Sequence, residues 1–301
     1  MTPLGVVGIA MAVGIMVGAW RQPTYWRTNR IEVVGAFVTS LLLTVATMGP
    51  LDQLGMRNLT AHMIAHVLVM FLVPIGLLLS GAGRQVWAIT PRRLRGALEK
   101  ILATISQPSW TARVIIGTLA LNTVMVVGHL PVVFNAPMDH MWAMSWIMEP
   151  AFLLSGLAFF SPLVVARPRQ WQGRLRWQLA AVAVTMLEML VMAMAMSIFT
   201  KSPWYTSMGV NLLHDLMPTL AVGHVNASQY IALVRTPGFL TMPGMNMSAL
   251  SPIALFHQQQ LAAAVLWICG DFWAVPLIVV ILRRAITRDG SLLKSLDRQI
   301  A

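Results

Sequence analysis

The sequence predicts an all-α polytopic membrane protein, a bundle of seven transmembrane helices with its N-terminus outside and its C-terminus inside. Three observations carry that expectation. First, 57% of the residues are hydrophobic and only 10% are charged, where a soluble domain carries about 25% charged residues; the mean hydropathy is +0.71. Second, the apolar residues gather into stretches long enough to cross roughly 30 Å of hydrocarbon at about 1.5 Å per residue. Third, the basic residues fall on alternate connections between those stretches. The whole chain, 1–301, then reads as a single integral-membrane domain.

The spans lie at about 3–20, 31–49, 62–83, 112–130, 141–165, 178–199 and 258–282. In the first, Val17-Gly18-Ala19 imitates a signal-peptidase site, but no basic residue precedes the apolar core and Arg21, Arg27 and Arg30 follow it. That order suits a retained helix with its start outside. Arg84, Arg92, Arg93, Arg95 and Lys100 lie between the third and fourth spans, with Arg113 just inside the fourth. Arg167, Arg169, Arg174 and Arg176 join the fifth to the sixth, and Arg283, Arg284, Arg288, Lys294 and Arg298 follow the seventh. Of 21 basic residues, 18 therefore share one side and only Arg57, Lys201 and Arg235 take the other. Arg and Lys are retained on the cytoplasmic side, which orients the bundle and accounts for the +11 net charge without nucleic acid. The segment 200–257 becomes a long outer loop. The single cysteine, Cys269, lies within the last span, so an intramolecular disulfide and CxxC chemistry are both excluded.

With this topology all seven histidines fall on the outer side. His62 and His66 open the third span, His129 closes the fourth, His140 opens the fifth, His214 and His224 sit in the long outer loop, and His257 stands at the mouth of the seventh. His62 and His66 are four residues apart on one helix, hence on one face about 6 Å apart along the axis. Met70 extends that face by a further turn and Met63 sits beside it. Paired imidazoles can share a metal ion, and thioether sulfur favours Cu(I); the alternative is two interfacial histidines hydrogen-bonded to loop carbonyls. His140, Met144 and Met148 repeat the four-residue step, flanked by Met138 and Met141, and Asn122, Met125 and His129 answer from the fourth span. The short connection 131–139 keeps His129 near His140. Met186, Met189, Met192 and Met196 form one stripe on the sixth span, a pattern that core filling also explains. The outer run Met242-Pro243-Gly244-Met245-Asn246-Met247 resembles extracytoplasmic Cu(I)-binding tracts, with a lipid-surface loop as the alternative.

Three acids, Glu149, Glu188 and Asp271, lie within apolar spans. An acid at that depth costs about 2.5–3.5 kcal/mol on insertion scales and normally faces the bundle interior. No Lys or Arg sits at comparable depth. They read either as a proton or cation route below the histidines or as helix-to-helix hydrogen bonds. No GxSxG, Walker loop, HExxH or dinucleotide fingerprint is present, and the chain does not read as an enzyme.

Three segments carry a family resemblance. His62-Met63-x-x-His66 continuing to Val73-Pro74 resembles the CtaG family of bacterial cytochrome c oxidase assembly factors. His129-Leu130-Pro131 with Phe134-Asn135 and His140 is similar to that family's fourth-to-fifth helix junction, and Gln258-Gln259-Gln260-Leu261-Ala262 with Trp267 and Gly270 to its last helix. Two departures stand out. Met144 occupies a place where the family often has a second histidine, and Gln258 preceded by His257 stands where it usually has an acid. The resemblance implies assembly of a haem–copper oxidase in the bacterial plasma membrane, with oxidase subunits and an extracytoplasmic copper donor as partners. Combined with the residues, it predicts a Cu(I) site of His62, His66, His129 and His140, with Met70, Met144 and His257 as adjuncts. The rivals are a haem b electron-transfer subunit and a copper or cation transporter working through Glu188 and Asp271.

Overall fold

The computed structural model describes residues 2–21, 29–80, 95–96, 99, 108–139, 141–164, 175–216, 227–236, 240 and 250–286. Among them every regular element is helical. The order is α1 (Pro3–Arg21), α2 (Arg30–Met48), α3 (Pro50–Gly55), α4 (Leu59–Val67), a π-helical turn (Leu68–Leu72), α5 (Val73–Leu79), α6 (Trp110–His129), α7 (Pro131–Asp139) and α8 (Met141–Ala143). A second π turn (Met144–Met148) leads into α9 (Glu149–Val164), and α10 (Leu175–Met194) runs into a third (Ala195–Phe199). Then come α11 (Thr206–Leu216), α12 (Ala227–Arg235) and α13 (Pro252–Arg284).

Among the described residues, six helical segments are long and apolar enough to cross a membrane: Arg30–Gly55, Leu59–Leu79, Trp110–His129, Met144–Val164, Leu175–Phe199 and Pro252–Arg284. α1 is apolar over the shorter stretch Pro3–Gly18 and lies along α2. The segments Leu59–Leu79 and Met144–Val164 each bury 56% of their apolar window, against 33–39% for the others, so these two form the centre. α4 packs on α13, α5 on α2 and α9, α6 on α9, and α10 on both α6 and α13. The outer faces stay apolar and exposed, as at Leu119, Leu154, Leu187 and Phe272, which is the surface a lipid solvent requires.

Helix starts follow local chemistry. The side chains of Asn58, Ser109 and Ser251 accept the backbone N–H of Ala61, Ala112 and Ala254 at 3.1, 3.2 and 3.1 Å, each satisfying a donor the helix cannot. Pro252 at the first turn of α13 sits where no N–H is needed.

Two of the three π turns end two residues before a proline: Leu72 precedes Val73-Pro74, and Met148 precedes Glu149-Pro150. Proline has no N–H and its ring crowds the carbonyl four residues back; widening the preceding turn relieves that crowding. The carbonyl opposed by Pro74 is that of Met70, and Gly156 of α9 lies directly against it, too close for any Cβ. A glycine there lets the two central helices meet backbone to backbone.

Two sequence expectations change. The segment 200–257 carries the helices α11 and α12, which share a small apolar core of Val210, Leu213, Tyr230, Val234, Leu250 and Leu255. The last helix begins at Pro252, six residues before the expected start. The Met242–Met247 run, His224 and the connections that hold most of the arginines lie outside the described residues.

Candidate functional site

Asn58 starts α4, His129 ends α6, Phe199 ends the third π turn and Pro252 starts α13, and side chains tie these ends together. The Tyr205 hydroxyl donates to the His129 carbonyl at 2.9 Å, and the Asn211 amide donates to the Met56 carbonyl at 3.3 Å. The opposite end is marked by Trp110 Nε1–H donating to the Pro162 carbonyl at 3.1 Å and by Arg284 donating to Val164 at 3.4 Å.

His62, His66 and His129 come together at the first end. Each is almost wholly buried, 4%, 6% and 2% exposed. The ring centroids of His62 and His66 are 4.1 Å apart, and those of His66 and His129 are 6.0 Å apart with perpendicular planes. Phe134 lies edge-on to His62 at 5.0 Å and Phe152 against His66 at 4.5 Å, so aromatic walls exclude water around the imidazoles.

The hydrogen bonds decide which ring nitrogens are free. His129 Nδ1–H donates to the Met125 carbonyl at 2.6 Å, one turn back on its own helix. A neutral imidazole carries a single ring proton, so Nε2 presents a lone pair, and it faces the Met63 sulfur at 3.3 Å. Neither atom has a proton to share. Two lone-pair donors facing one another in this way suit a soft metal ion between them. His62 repeats the device: its ring is hydrogen-bonded by the Gly55 backbone, and its Nε2 is buried with no partner. Gly55 can hold that ring because its Cα packs against the His62 backbone, where a Cβ would come within 3.2 Å of His62 Cα. Both His66 nitrogens are buried without a partner. A backbone carbonyl on one nitrogen that leaves the other bare is the outer-shell arrangement of metal-ligating histidine.

The donors form a row of adjacent pairs. Among the described residues no three His, Cys, Asp or Glu side chains are arranged to hold one metal ion together. The row runs His62, His66, His129, Met63, and sulfur completes it where carboxylates do not.

Beside His62 and His66 is a cavity of about 20 Å³ whose lining includes Asp52, Met56, His62, His66, Met144 and Glu149. It has room for about one water-sized body. Small-molecule pockets run to about 300–1,000 Å³; a cavity of ≈ 300 Å³ elsewhere is lined, among the described residues, by Met194, Ser197, Gln260, Trp267 and neighbours with no histidine among them.

The anticipated residues therefore divide. His62, His66 and His129 assemble. Met144 lines the cavity, and Glu149, buried with Oε2 lacking a partner, lines it too. Met70 is buried but lies off the cavity, because the π turn Leu68–Leu72 breaks the four-residue stripe that His66 would otherwise continue. His257 and Asp271 are exposed on α13, so the expectation that every intramembrane acid faces inward fails for Asp271. Glu188 is half-buried, both its oxygens lack partners, and it does not line the cavity. Met189, Met192 and Met196 fill the core. His140 lies outside the described residues.

Sequence reasoning missed Asp52 and Met56 and undervalued Met63. Asp52 sits in Gly49-Pro50-Leu51-Asp52, which reads as a loop; it is the helix α3 that folds back over α4. A lone acid beside a Pro-initiated turn was the available signal.

The sequence profile of the family described as cytochrome c oxidase caa3 assembly factor matches residues 12–288, most of the chain. No curated protein and no solved structure matches it.

Proposed function

The chain belongs to the caa3-type cytochrome c oxidase assembly factors, and on that premise we propose that it serves oxidase biogenesis by holding Cu(I) as cargo on the row His62, His66, His129 and Met63. The single observation that supports this is that buried nitrogens of His62 and His66, whose rings lie 4.1 Å apart, have no hydrogen-bond partner. Leaving a buried polar group unsatisfied costs about 1–3 kcal/mol, and coordination removes that cost. Nitrogen and thioether donors select a soft, reduced ion. Met144 extends the row on the fifth span, His140 is assigned to the same ligand set on its place in the sequence, and His257 and Met70 stand outside the row.

In this reading the bundle has seven spans, α1 being the first, and sits in the bacterial plasma membrane with its N-terminus and the histidine row outside and its C-terminus inside. Alternate placement of the arginines supports the orientation. The cargo passes from an extracytoplasmic copper donor to haem–copper oxidase subunits, with no catalytic turnover by this chain.

The test is Cu(I) retention by purified protein against a competing chelator, with His62→Ala/His66→Ala alongside. Retention in the unaltered protein and loss in the variant are the expected pair. Absence of bound Cu(I) in the unaltered protein, or equal retention in the variant, overturns the reading.

A further inference from the structure

The histidine row has a neighbour that copper holding by itself does not call for. The cavity against His62 and His66 is lined from three helices by two carboxylates and two thioethers: Asp52 from α3, Met56 just after it, Met144 from the second π turn and Glu149 from the start of α9. Among the twelve described residues that line it there is no Lys or Arg, in a chain with 21 basic and only 10 acidic residues. Asp52 and Met56 are half-buried, whereas Glu149 and His66 are each 6% exposed. The cavity therefore runs from an acidic, accessible mouth to a buried floor. Glu149 Oε2 and His62 Nε2 are there without partners. Nothing in the packing requires two acids to be held together this way. A void of ≈ 20 Å³ admits a single ion and excludes a chelate.

We propose that this cavity is a cation-selective antechamber, in which Asp52 at the mouth and Glu149 at the floor draw a metal cation from water and pass it to His62 and His66. The inference rests on the reading of the histidine row as a Cu(I) site and adds the route by which the ion reaches it. Carboxylates lining a cleft with low-dielectric walls focus the field on an incoming cation, and such focusing raises association rates by about 10–10³. Met56 and Met144 give a reduced ion soft ligands on the way. The acids act on the rate of loading, and the imidazoles and Met63 set the final affinity.

The experiment is stopped-flow loading of the full-length protein in nanodiscs with Cu(I), at low and high ionic strength, followed by total bound Cu(I). Asp52→Asn, Asp52→Lys and Asp52→Asn/Glu149→Gln are compared with the unaltered chain. Expected is a slowing of about tenfold or more at low salt for the double variant, and loading by Asp52→Lys slower than by Asp52→Asn. The differences should shrink as salt screens the charges, with the same final amount bound. Because Asp52 is half-buried on a short helix, its single variants report even if the double variant does not fold. Loading of both Asp52 variants at the unaltered rate overturns the antechamber alone. An unaltered protein that takes up no Cu(I) overturns the histidine site and the antechamber together.

Discussion

Gln259 lies at the same end of the bundle as His62 and His66 and is buried at least as deeply, 0% exposed, yet its amide is fully used. Its Nε2 donates to the Met196 carbonyl at 2.7 Å and to Thr200 Oγ at 3.3 Å, and its Oε1 accepts the Trp204 N–H at 2.7 Å. The Met196 carbonyl belongs to the third π turn, where the regular ladder is interrupted, so the glutamine closes a gap in the backbone bonding of α10 and anchors the turn leading to Tyr205. The histidines nearby do the reverse: carbonyls fix the rings of His62 and His129 while the outward nitrogens are left bare. A buried polar group with every bond made holds architecture together. One with its strongest acceptor unmet stands ready for something to arrive.

That contrast is open to attack at four points, the largest effect first. Gln259→Leu orphans the Trp204 N–H at about 1–3 kcal/mol and removes one of two side-chain donors to the Met196 carbonyl, which keeps the Thr200 hydroxyl at 3.0 Å, so roughly 3 kcal/mol of stability should be lost. The shift of the SDS-unfolding midpoint measures it, and copper affinity of the folded fraction should be unchanged. His66→Leu should behave oppositely. Metal-free stability stays level or rises, because an unsatisfied group is replaced by an apolar one, while Cu(I) affinity falls roughly 100-fold, or about 2.7 kcal/mol. If His66→Leu destabilises the metal-free protein as much as Gln259→Leu does, the two clusters are the same kind of object. Met63→Leu keeps the volume and removes only the sulfur; Cu(I) affinity should drop about tenfold with Zn(II) affinity unmoved, a difference that competition titrations with the two ions resolve.

The smallest effect belongs to Tyr205→Phe. Burial holds the Tyr205 hydroxyl well above its ordinary range, so it remains a proton donor to the His129 carbonyl at every pH the protein meets. Losing that one bond should lower stability by about 1 kcal/mol. It should also loosen His129, read as broadening of its imidazole resonances, with the Met63 contact weakened in step.

Much of the site was legible in the chain. His62 and His66 four residues apart announce one face of one helix, and the short 131–139 connection announces that His129 returns to the same end. Asn135 was legible only as part of a motif. In the structure its amide donates to Trp204 O at 3.1 Å and its Oδ1 accepts from Ser207 Oγ at 2.7 Å, pinning the turn that carries Tyr205 over His129. Met70 does not line the cavity, because the π turn interrupts the 3.6-residue period on which the stripe was read. Pro74, eight residues after His66, was the warning that the period would slip.

Hydropathy, the spacing of basic residues and the helical period are properties of neighbours in sequence. They were enough to set the class of fold, the approximate spans and the end at which the histidines lie. Which sulfur the His129 ring faces, which acids line the adjoining cavity and what caps the His129 carbonyl depend on residues far apart in the chain. Met63 reaches His129, Asp52 and Glu149 line one cavity, and Tyr205 reaches the His129 carbonyl. Such contacts follow from the angles at which helices cross and from where prolines widen a turn. Only the packed bundle decides them.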